Sequence, residues 1–408
     1  MSILNLVLRA GLGLVCLALP AAGWPLGAPP PPSSPAPASS LGPAQADPDF
    51  EGRAQAAEDA RVAGRLDEAA TLYRKALDAQ PSWTEGWWYL GTILYSLERF
   101  EEARDAFRRV VGAKPEDGAA WAFKGLCEFE LRSYDRALSD LQRSQLLGLP
   151  NKEVHHVAVY HLGILLTRYE QFEASLEHLA GLARQGNEST SIVEALGLSV
   201  LRLPFLPQEL PPRKREMVLM AGRATNHWAN ARRPAAQRGF EELILRYPEE
   251  KNVHYAFGVF LLKEDPDAAL EEFHRELRRS PFHVEAMLQI ALEKILRAEH
   301  DEARALAEKA VELAPRNGAA RNILGRVLLN MGETEAAIEH LEVGVTISPL
   351  SREMRFELAR AYTRAGRTED AAREREEFKR LDAAQKAAES GDSTLGRVDL
   401  EAGRGSPE

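Results

Sequence analysis

Prolines recur through this 408-residue sequence with a period of 34 residues. They lie 34 residues apart, or at close multiples of that interval, at Pro81, Pro115, Pro281, Pro315 and Pro349. Because proline cannot donate a hydrogen bond inside a helix, this spacing predicts helices that end at a fixed interval. A chain of this kind stacks one supersecondary unit on the next, so its length does not predict a number of globular domains.

The residue types within one period are also fixed. One period contains a tryptophan, a Leu-Gly pair, a small residue, an aromatic residue and the proline: Trp87, Leu90, Gly91, Leu94, Ala103, Phe107 and Pro115. This pattern resembles the tetratricopeptide repeat family over roughly residues 50–385. The resemblance implies an all-α fold, a right-handed superhelical solenoid of antiparallel helix pairs, with about nine regular units and one degenerate unit.

The resemblance also implies which residues pack between the two helices of a unit. Glycines without a Cβ allow a close approach on the first helix at Gly91, Gly125, Gly163, Gly258 and Gly325. Small residues are expected to do the same on the second helix at Ala69, Ala103, Ala137, Ala236, Ala269, Ala303, Ala337 and Ala371.

The repeats are expected in two arrays, with repeats one to four in 50–185 and repeats six to ten in 216–385. The segment between them, 186–215, has the pattern of a degenerate repeat with one helix. Four prolines exclude the second helix of this repeat: Pro204, Pro207, Pro211 and Pro212. A packed loop is one interpretation of 204–212, and a hinge that divides the repeats into 50–203 and 213–385 is the other.

The two ends of the sequence have a different composition. Residues 1–23 place Arg9 before an uncharged apolar run that ends in small residues, which indicates a signal peptide or a membrane anchor. Residues 24–48 are rich in proline, alanine and serine and predict an extended linker. Residues 386–408 have few apolar side chains and are expected to be a disordered tail. The chain is therefore expected to be exported, as a periplasmic or secreted protein, and anchoring to a membrane by its N-terminus is the alternative to cleavage.

Composition and motifs exclude several function classes. The formal charge of −10 and the pI near 5.6 do not fit a nucleic-acid-binding protein, which would carry a basic surface. The sequence has no Walker motif, no G-x-S-x-G and no H-E-x-x-H. His155, His156 and His161 lack the spacing of a metal-binding helix. No catalytic, cofactor-binding or metal-binding residue is predicted, and the protein is not expected to be an enzyme.

A partner-binding groove is what the resemblance implies, since proteins of this family bind peptides on the face lined by their first helices. The second, fifth, ninth, twelfth and thirteenth residues of each unit would line it. The candidate groove residues are aromatic in the early repeats, apart from one threonine, and polar in the last two: Trp88, Thr92, Tyr95, Phe129, Tyr160, Asn322, Arg326, Asn330, Arg360 and Arg364. The alternative is that these side chains touch neighbouring helices and belong to the core.

The adjacent tryptophans are expected to have different roles. Trp87 stands at the fourth position of its unit and is expected in the core, whereas Trp88 at the fifth position is expected to face the groove. On this interpretation Trp87→Ala would cost roughly 3–5 kcal/mol of stability, and Trp88→Ala would leave stability nearly unchanged.

The sequence therefore favours a non-enzymatic scaffold that binds a peptide or protein partner in its concave groove, at the cell envelope or in the periplasm. The alternative is a structural or self-associating subunit of an envelope assembly. The sequence leaves the identity of the partner and the oligomeric state open.

Overall fold

The computed structural model describes residues 48–149, 151–186 and 189–390 of the chain. Within these ranges the fold is all-α, with nineteen α-helices, one short 3-10 helix and no strand. It is a helical repeat solenoid, as the sequence predicts. The predicted signal peptide or anchor (1–23), nearly all of the predicted linker (24–48) and most of the predicted tail (386–408) lie outside the described residues.

The first compact unit extends to Pro248. Its helices are α1 Pro48–Val62, α2 Leu66–Ala79, α3 Thr84–Ser96, α4 Phe100–Ala113, α5 Gly118–Glu130, α6 Tyr134–Leu147, α7 Lys152–Arg168, α8 Phe172–Arg184, α9 Thr190–Val200, α10 Pro212–Ala229 and α11 Arg233–Arg246. The 3-10 helix, Pro207–Glu209, lies between α9 and α10. Repeats one to four are the pairs from α1/α2 to α7/α8, and repeat six is the pair α10/α11.

The second compact unit begins at Glu249. Its helices are α12 Val253–Leu261, α13 Pro266–Arg279, α14 Val284–Leu296, α15 His300–Leu313, α16 Gly318–Met331, α17 Thr334–Ile347, α18 Arg352–Arg364 and α19 Thr368–Ser390. Four helix pairs, repeats seven to ten, therefore make up this unit.

Small residues bring the two helices of each pair together, as the repeat pattern predicts. A Cβ added to Gly91 would lie 2.9 Å from the ring of Phe107, and one added to Gly258 would lie 2.6 Å from the ring of Phe273. The eight alanines predicted on the second helices are all at most 1% exposed: Ala69, Ala103, Ala137, Ala236, Ala269, Ala303, Ala337 and Ala371. The predicted packing register is therefore confirmed for these residues in both units.

The fourth residue of the unit makes a recurring hydrogen bond to the carbonyl of the preceding terminal proline. Trp87 Nε1 donates to Pro81 O at 2.9 Å, and Trp121 Nε1 makes the equivalent 2.9 Å bond in the next repeat. In the second compact unit the guanidinium groups of Arg321 and Arg355 make the same bond, at 3.1–3.3 Å. The fourth position thus provides a hydrogen-bond donor, and either an indole or a guanidinium meets that need.

Repeat five has a packing of its own, because its first helix, α9, pairs directly with α10. The two backbones touch: a Cβ on Gly197 would lie 1.9 Å from Val218 O, and one on Gly222 would lie 1.7 Å from Val193 O. Helix α10 therefore occupies the place that the missing second helix of repeat five leaves open.

The proline-rich loop 204–212 packs against the first unit. Leu206 is fully buried and Leu210 is 7% exposed. Glu209 accepts a hydrogen bond from the Leu206 amide at 3.0 Å and pairs with Arg168 at 2.7 Å. The boundary between the compact units lies at Pro248 and Glu249, after α11, and not within this loop as the hinge interpretation would require.

Two histidines of repeat four make the stability of the first unit dependent on pH. Burial lowers the pKa of His161 in α7 and of His178 in α8 to about 4. Unfolded histidines titrate near 6.5, so the unfolded chain binds protons first as the pH falls. The stability that the neutral rings contribute is complete above about pH 6.5 and is lost as the pH falls toward 4.

We expect the two histidines to cost the first unit about 2 kcal/mol each between pH 7 and pH 5. The measurement is the free energy of unfolding of the protein and of the double variant His161→Gln/His178→Gln at pH 7, 6 and 5. The double variant should lose less stability than the parent over this range. Equal pH slopes for the two proteins would contradict the assignment.

Candidate functional site

The aromatic candidates in the early repeats form side-chain contacts between neighbouring repeats. Trp88 is only 9% exposed and meets the rings of Phe107 and Phe123 edge-on, with centroids 5.6 Å apart in both cases. Phe123 belongs to α5, the first helix of the next repeat, so Trp88 joins repeats two and three. The prediction that Trp88 faces the groove is therefore wrong, because Trp88 is buried in the core. Trp87, predicted in the core, is partly exposed and packs against the same core cluster.

The other early candidates are also largely covered. Thr92 is 8% exposed, and its hydroxyl donates to Tyr89 O at 2.9 Å. Tyr95 packs edge-on against Phe100 and Phe123, and burial raises the pKa of its hydroxyl above the ordinary range.

Phe129 and Tyr160 meet at the ring of His161. Phe129 lies 4.6 Å and Tyr160 lies 5.0 Å from the His161 ring, measured between centroids. Tyr160 is 7% exposed. The alternative interpretation, in which the aromatic side chains thicken the core, fits the burial of Trp88, Thr92 and Tyr160.

The polar candidates of the last two repeats lie on α16 and α18. Asn330 is exposed, and Asn322 is partly buried, with an Oδ1 atom that has no hydrogen-bond partner within the described ranges. Arg326 Nε lies 3.5 Å from a carboxylate oxygen of Glu357, which also pairs with Arg360. Arg364 donates to the carbonyl of Leu329. Glu357 thus partly neutralises two of the three candidate arginines.

A cleft of about 650 Å³ lies at the C-terminal end of the second unit. We refer to it as the C-terminal cleft. It is lined by side chains of α16, α18 and α19: Leu329, Phe356, Ala359, Arg360, Thr363, Arg364, Arg375, Phe378 and Lys379. The structure thus brings two of the predicted site residues, Arg360 and Arg364, together in one cleft, and it leaves Asn322, Arg326 and Asn330 outside the lining.

Two aromatic rings form the apolar part of the C-terminal cleft. Phe356 and Phe378 lie with their centroids 5.9 Å apart and their planes at 50°. Phe356 is 49% exposed, although its counterpart in repeat two, Trp88, is buried. A large apolar side chain that is left half exposed beside another aromatic ring is a feature of binding surfaces.

The charged part of the C-terminal cleft is entirely cationic. Four of its lining residues are basic and none is acidic. Arg360 pairs with Glu357, and Lys379 pairs with Glu376 at 3.0 Å. Arg375 donates to the hydroxyl of Thr363 at 2.5 Å, and Arg364 donates to a backbone carbonyl, so both guanidinium groups have neutral acceptors in these contacts. An anionic group bound here would gain charge-assisted hydrogen bonds.

Sequence reasoning missed the contribution of α19 to this cleft. The segment 373–380 is highly charged, and Phe378 is the one apolar side chain within it. This aromatic residue in an otherwise charged segment is the sequence feature that indicates the site, because a fully solvated helix is not expected to carry an exposed phenyl ring.

No group of three or more His, Cys, Asp or Glu side chains is placed to hold a metal ion within the ranges that the structure describes. No helix in the described part of the chain has the length and apolar character needed to cross a bilayer.

Comparison with known proteins gives matches to two families, both described as tetratricopeptide repeat. One matches residues 55–117 and 94–146, and the other matches residues 295–350. No curated protein shows significant similarity to the chain.

Solved structures of MamA resemble part of the chain. The MamA RS-1 ArsTM double mutant is 19% identical, with 42% of this chain and 97% of that chain covered and a TM-score of 0.38. A crystal structure of MamA is 18% identical, with 40% and 96% covered and a TM-score of 0.36. MamA AMB-1 is 24% identical, with 39% and 95% covered and a TM-score of 0.34.

The repeat matches fall in both compact units, and the helix pairs of both units share one packing register. The chain therefore carries tetratricopeptide repeats in both compact units, over residues 55–146 and 295–350.

Proposed function

We propose that this protein is a non-enzymatic scaffold that binds a peptide or protein partner in the C-terminal cleft. The observation that carries the proposal is the half-exposed ring of Phe356, which lies beside Phe378 in a cleft that is also lined by four basic side chains. Binding of a partner would remove this apolar surface from water and supply anions to the basic side chains. Both changes favour association.

The chemistry of the C-terminal cleft suits recognition better than catalysis. Its ionisable lining side chains are three arginines and one lysine. Arginine does not lose its proton in proteins and does not act as a general base. General acid–base catalysis needs groups that exchange a proton near neutral pH. Protein-binding scaffolds are the general role of tetratricopeptide repeat solenoids, and the proposal is in keeping with that role.

The proposed location is the cell envelope or the periplasm. The support for it is the sequence of residues 1–23, which has a positive charge, an apolar run and small residues in the order typical of an export signal.

In-cell photo-crosslinking is the test of both proposals. A photo-reactive amino acid is placed at Phe356, and at Phe282 as the matched control. Phe282 is another phenylalanine of the second unit, 71% exposed and outside the lining of the C-terminal cleft. We expect a discrete protein adduct from position 356, in the envelope or periplasmic fraction, and none of that size from position 282.

Phe378→Ala in the same chain should reduce the adduct from position 356 severalfold, because it removes the second ring of the apolar surface. Identical adducts from positions 356 and 282 would contradict the binding site. An adduct confined to the cytosolic fraction would contradict the location.

A further inference from the structure

The fifth residue of a repeat marks the place where the next repeat packs. Trp88, at this position in repeat two, touches Phe123 of the following first helix. Its counterparts in repeats three and eight, Ala122 and Leu288, are 0% and 5% exposed. In each of these repeats the fifth residue is buried, and each has a further first helix after it.

Phe356 is the fifth residue of repeat ten, and it is 49% exposed. No first helix follows repeat ten within the described residues, which end in α19. The absence of that helix in the described part of the chain is the physical reason for the exposure of Phe356.

Repeat nine shows what normally covers this surface. Helix α18 packs there, and a Cβ on Gly344 of α17 would lie 2.7 Å from Met354 Sδ. The same helix reaches α16 through the hydrogen bond from Arg364 to the Leu329 carbonyl. One repeat later, the corresponding surface of α18 and α19 is the C-terminal cleft. The cleft is therefore the seat for a further first helix.

We infer that the C-terminal cleft binds an acidic amphipathic α-helix of another protein, which docks as an additional first helix of the array. The inference rests on the proposed function and adds the conformation and charge of the partner. Apolar side chains at helical spacing would cover Phe356 and Phe378. Carboxylates beside them would reach Arg364, Arg375 and Lys379.

Two other occupants fit less well. Residues 391–408 of this chain hold four glycines and only three large aliphatic side chains, Leu395, Val398 and Leu400, so they offer little apolar surface to cover Phe356 and Phe378. A second copy that met this surface about a two-fold axis would set four cations against four cations.

Three labelled synthetic peptides of 18 residues provide the test, measured by fluorescence anisotropy with the full chain. The first is an amphipathic helix with leucines on one face and glutamates beside them. The second has lysine in place of every glutamate, and the third has the composition of the first with two central prolines. We expect the first peptide to bind at least about tenfold more tightly than either control, and to gain helical circular dichroism on binding.

Substitutions of single lining residues, each paired with a control outside the lining, test whether the peptide binds in the C-terminal cleft. Phe356→Ala and Arg375→Glu are each expected to weaken binding of the acidic peptide by about tenfold. The controls are Phe282→Ala and Arg373→Glu, whose side chains lie outside the cleft lining and are exposed, and both should bind as the parent does. Equal effects of Arg375→Glu and Arg373→Glu would overturn the inference.

The remaining outcomes separate this inference from the proposed function. If position 356 captures a partner in cells but the acidic helix binds no better than the proline peptide, the inference fails and the proposed function stands. Concentration-dependent dimers that Phe356→Ala abolishes would show a second copy as the occupant. A tenfold rise in peptide affinity on deletion of 391–408 would show that this chain's own tail competes for the cleft. Either result would overturn the inference.

Discussion

We expect Gly222→Ala to lower the free energy of unfolding of the first compact unit by more than about 3 kcal/mol. The new Cβ would lie 1.7 Å from Val193 O and 2.7 Å from Val193 C, which are backbone atoms that cannot rotate away. Helices α9 and α10 must then separate, and the buried side chains between them, such as Val193 and Val218, lose contact. Gly197→Ala should have a similar effect, because its Cβ would meet Val218 O at 1.9 Å.

Gly112→Ala is the matched control for this prediction. It also replaces a helical glycine of the first unit, but its Cβ would have no atom within 4 Å. It should be neutral or should stabilise the unit by about 0.5–1 kcal/mol, since alanine favours a helix more than glycine does. Urea unfolding followed by circular dichroism measures both variants. The close contact of α9 and α10 would be disproved by a Gly222→Ala protein with the unfolding midpoint of the parent.

The part of the fold that the sequence predicts is the part that depends on local geometry. The small alanines of the second helices and the glycines of several first helices recur at the contact between the two helices, because a helix of fixed period presents the same positions in every repeat. Burial of Ala69, Ala103 and Ala337 follows directly from this spacing. The same reasoning predicts that 204–212 does not form the second helix of repeat five, because its four prolines cannot donate the hydrogen bonds of a helix interior.

The pairing of α9 with α10 lies beyond such reasoning. The two helices pair because repeat five lacks a second helix. In the sequence they are separated by the whole proline-rich loop. Gly222 was the available signal: it stands two residues before the expected glycine position of its repeat, where Ala224 is found. The reason for a glycine at this position is the backbone carbonyl of Val193, which lies opposite it and which the sequence does not reveal.

The candidate site was predicted in part, for a related reason. Whether the fifth residue of a repeat lines a groove or joins the core depends on what the next repeat places against it. Phe123 covers Trp88, whereas Phe356 has no such neighbour in the described residues. The prediction from first helices alone found Arg360 and Arg364 but not Phe378. Phe378 belongs to α19, a second helix that no further first helix covers within the described residues.

The second large effect on stability is expected at the two adjacent tryptophans. The residue expected to matter more is Trp88, whereas the sequence suggests Trp87. Trp88→Ala is expected to cost about 3–5 kcal/mol, because the indole fills the space between Phe107 and Phe123 and its removal leaves a cavity that joins two repeats. Trp87→Ala is expected to cost less, about 1–2 kcal/mol, because its indole is only partly buried against the core and its removal also breaks the hydrogen bond to Pro81 O.

The small effect expected at Trp87 follows from the repeats themselves. Arg321 and Arg355 occupy the same position and bind the equivalent carbonyls of Pro315 and Pro349 without an indole ring, so the repeat does not require an aromatic surface there. Chemical unfolding of the two single variants, with Trp121→Ala as a second example of the fourth position, measures the difference. Losses of equal size for Trp87→Ala and Trp88→Ala would show that both indoles belong to the core, and the distinction between the fourth and fifth positions would fail.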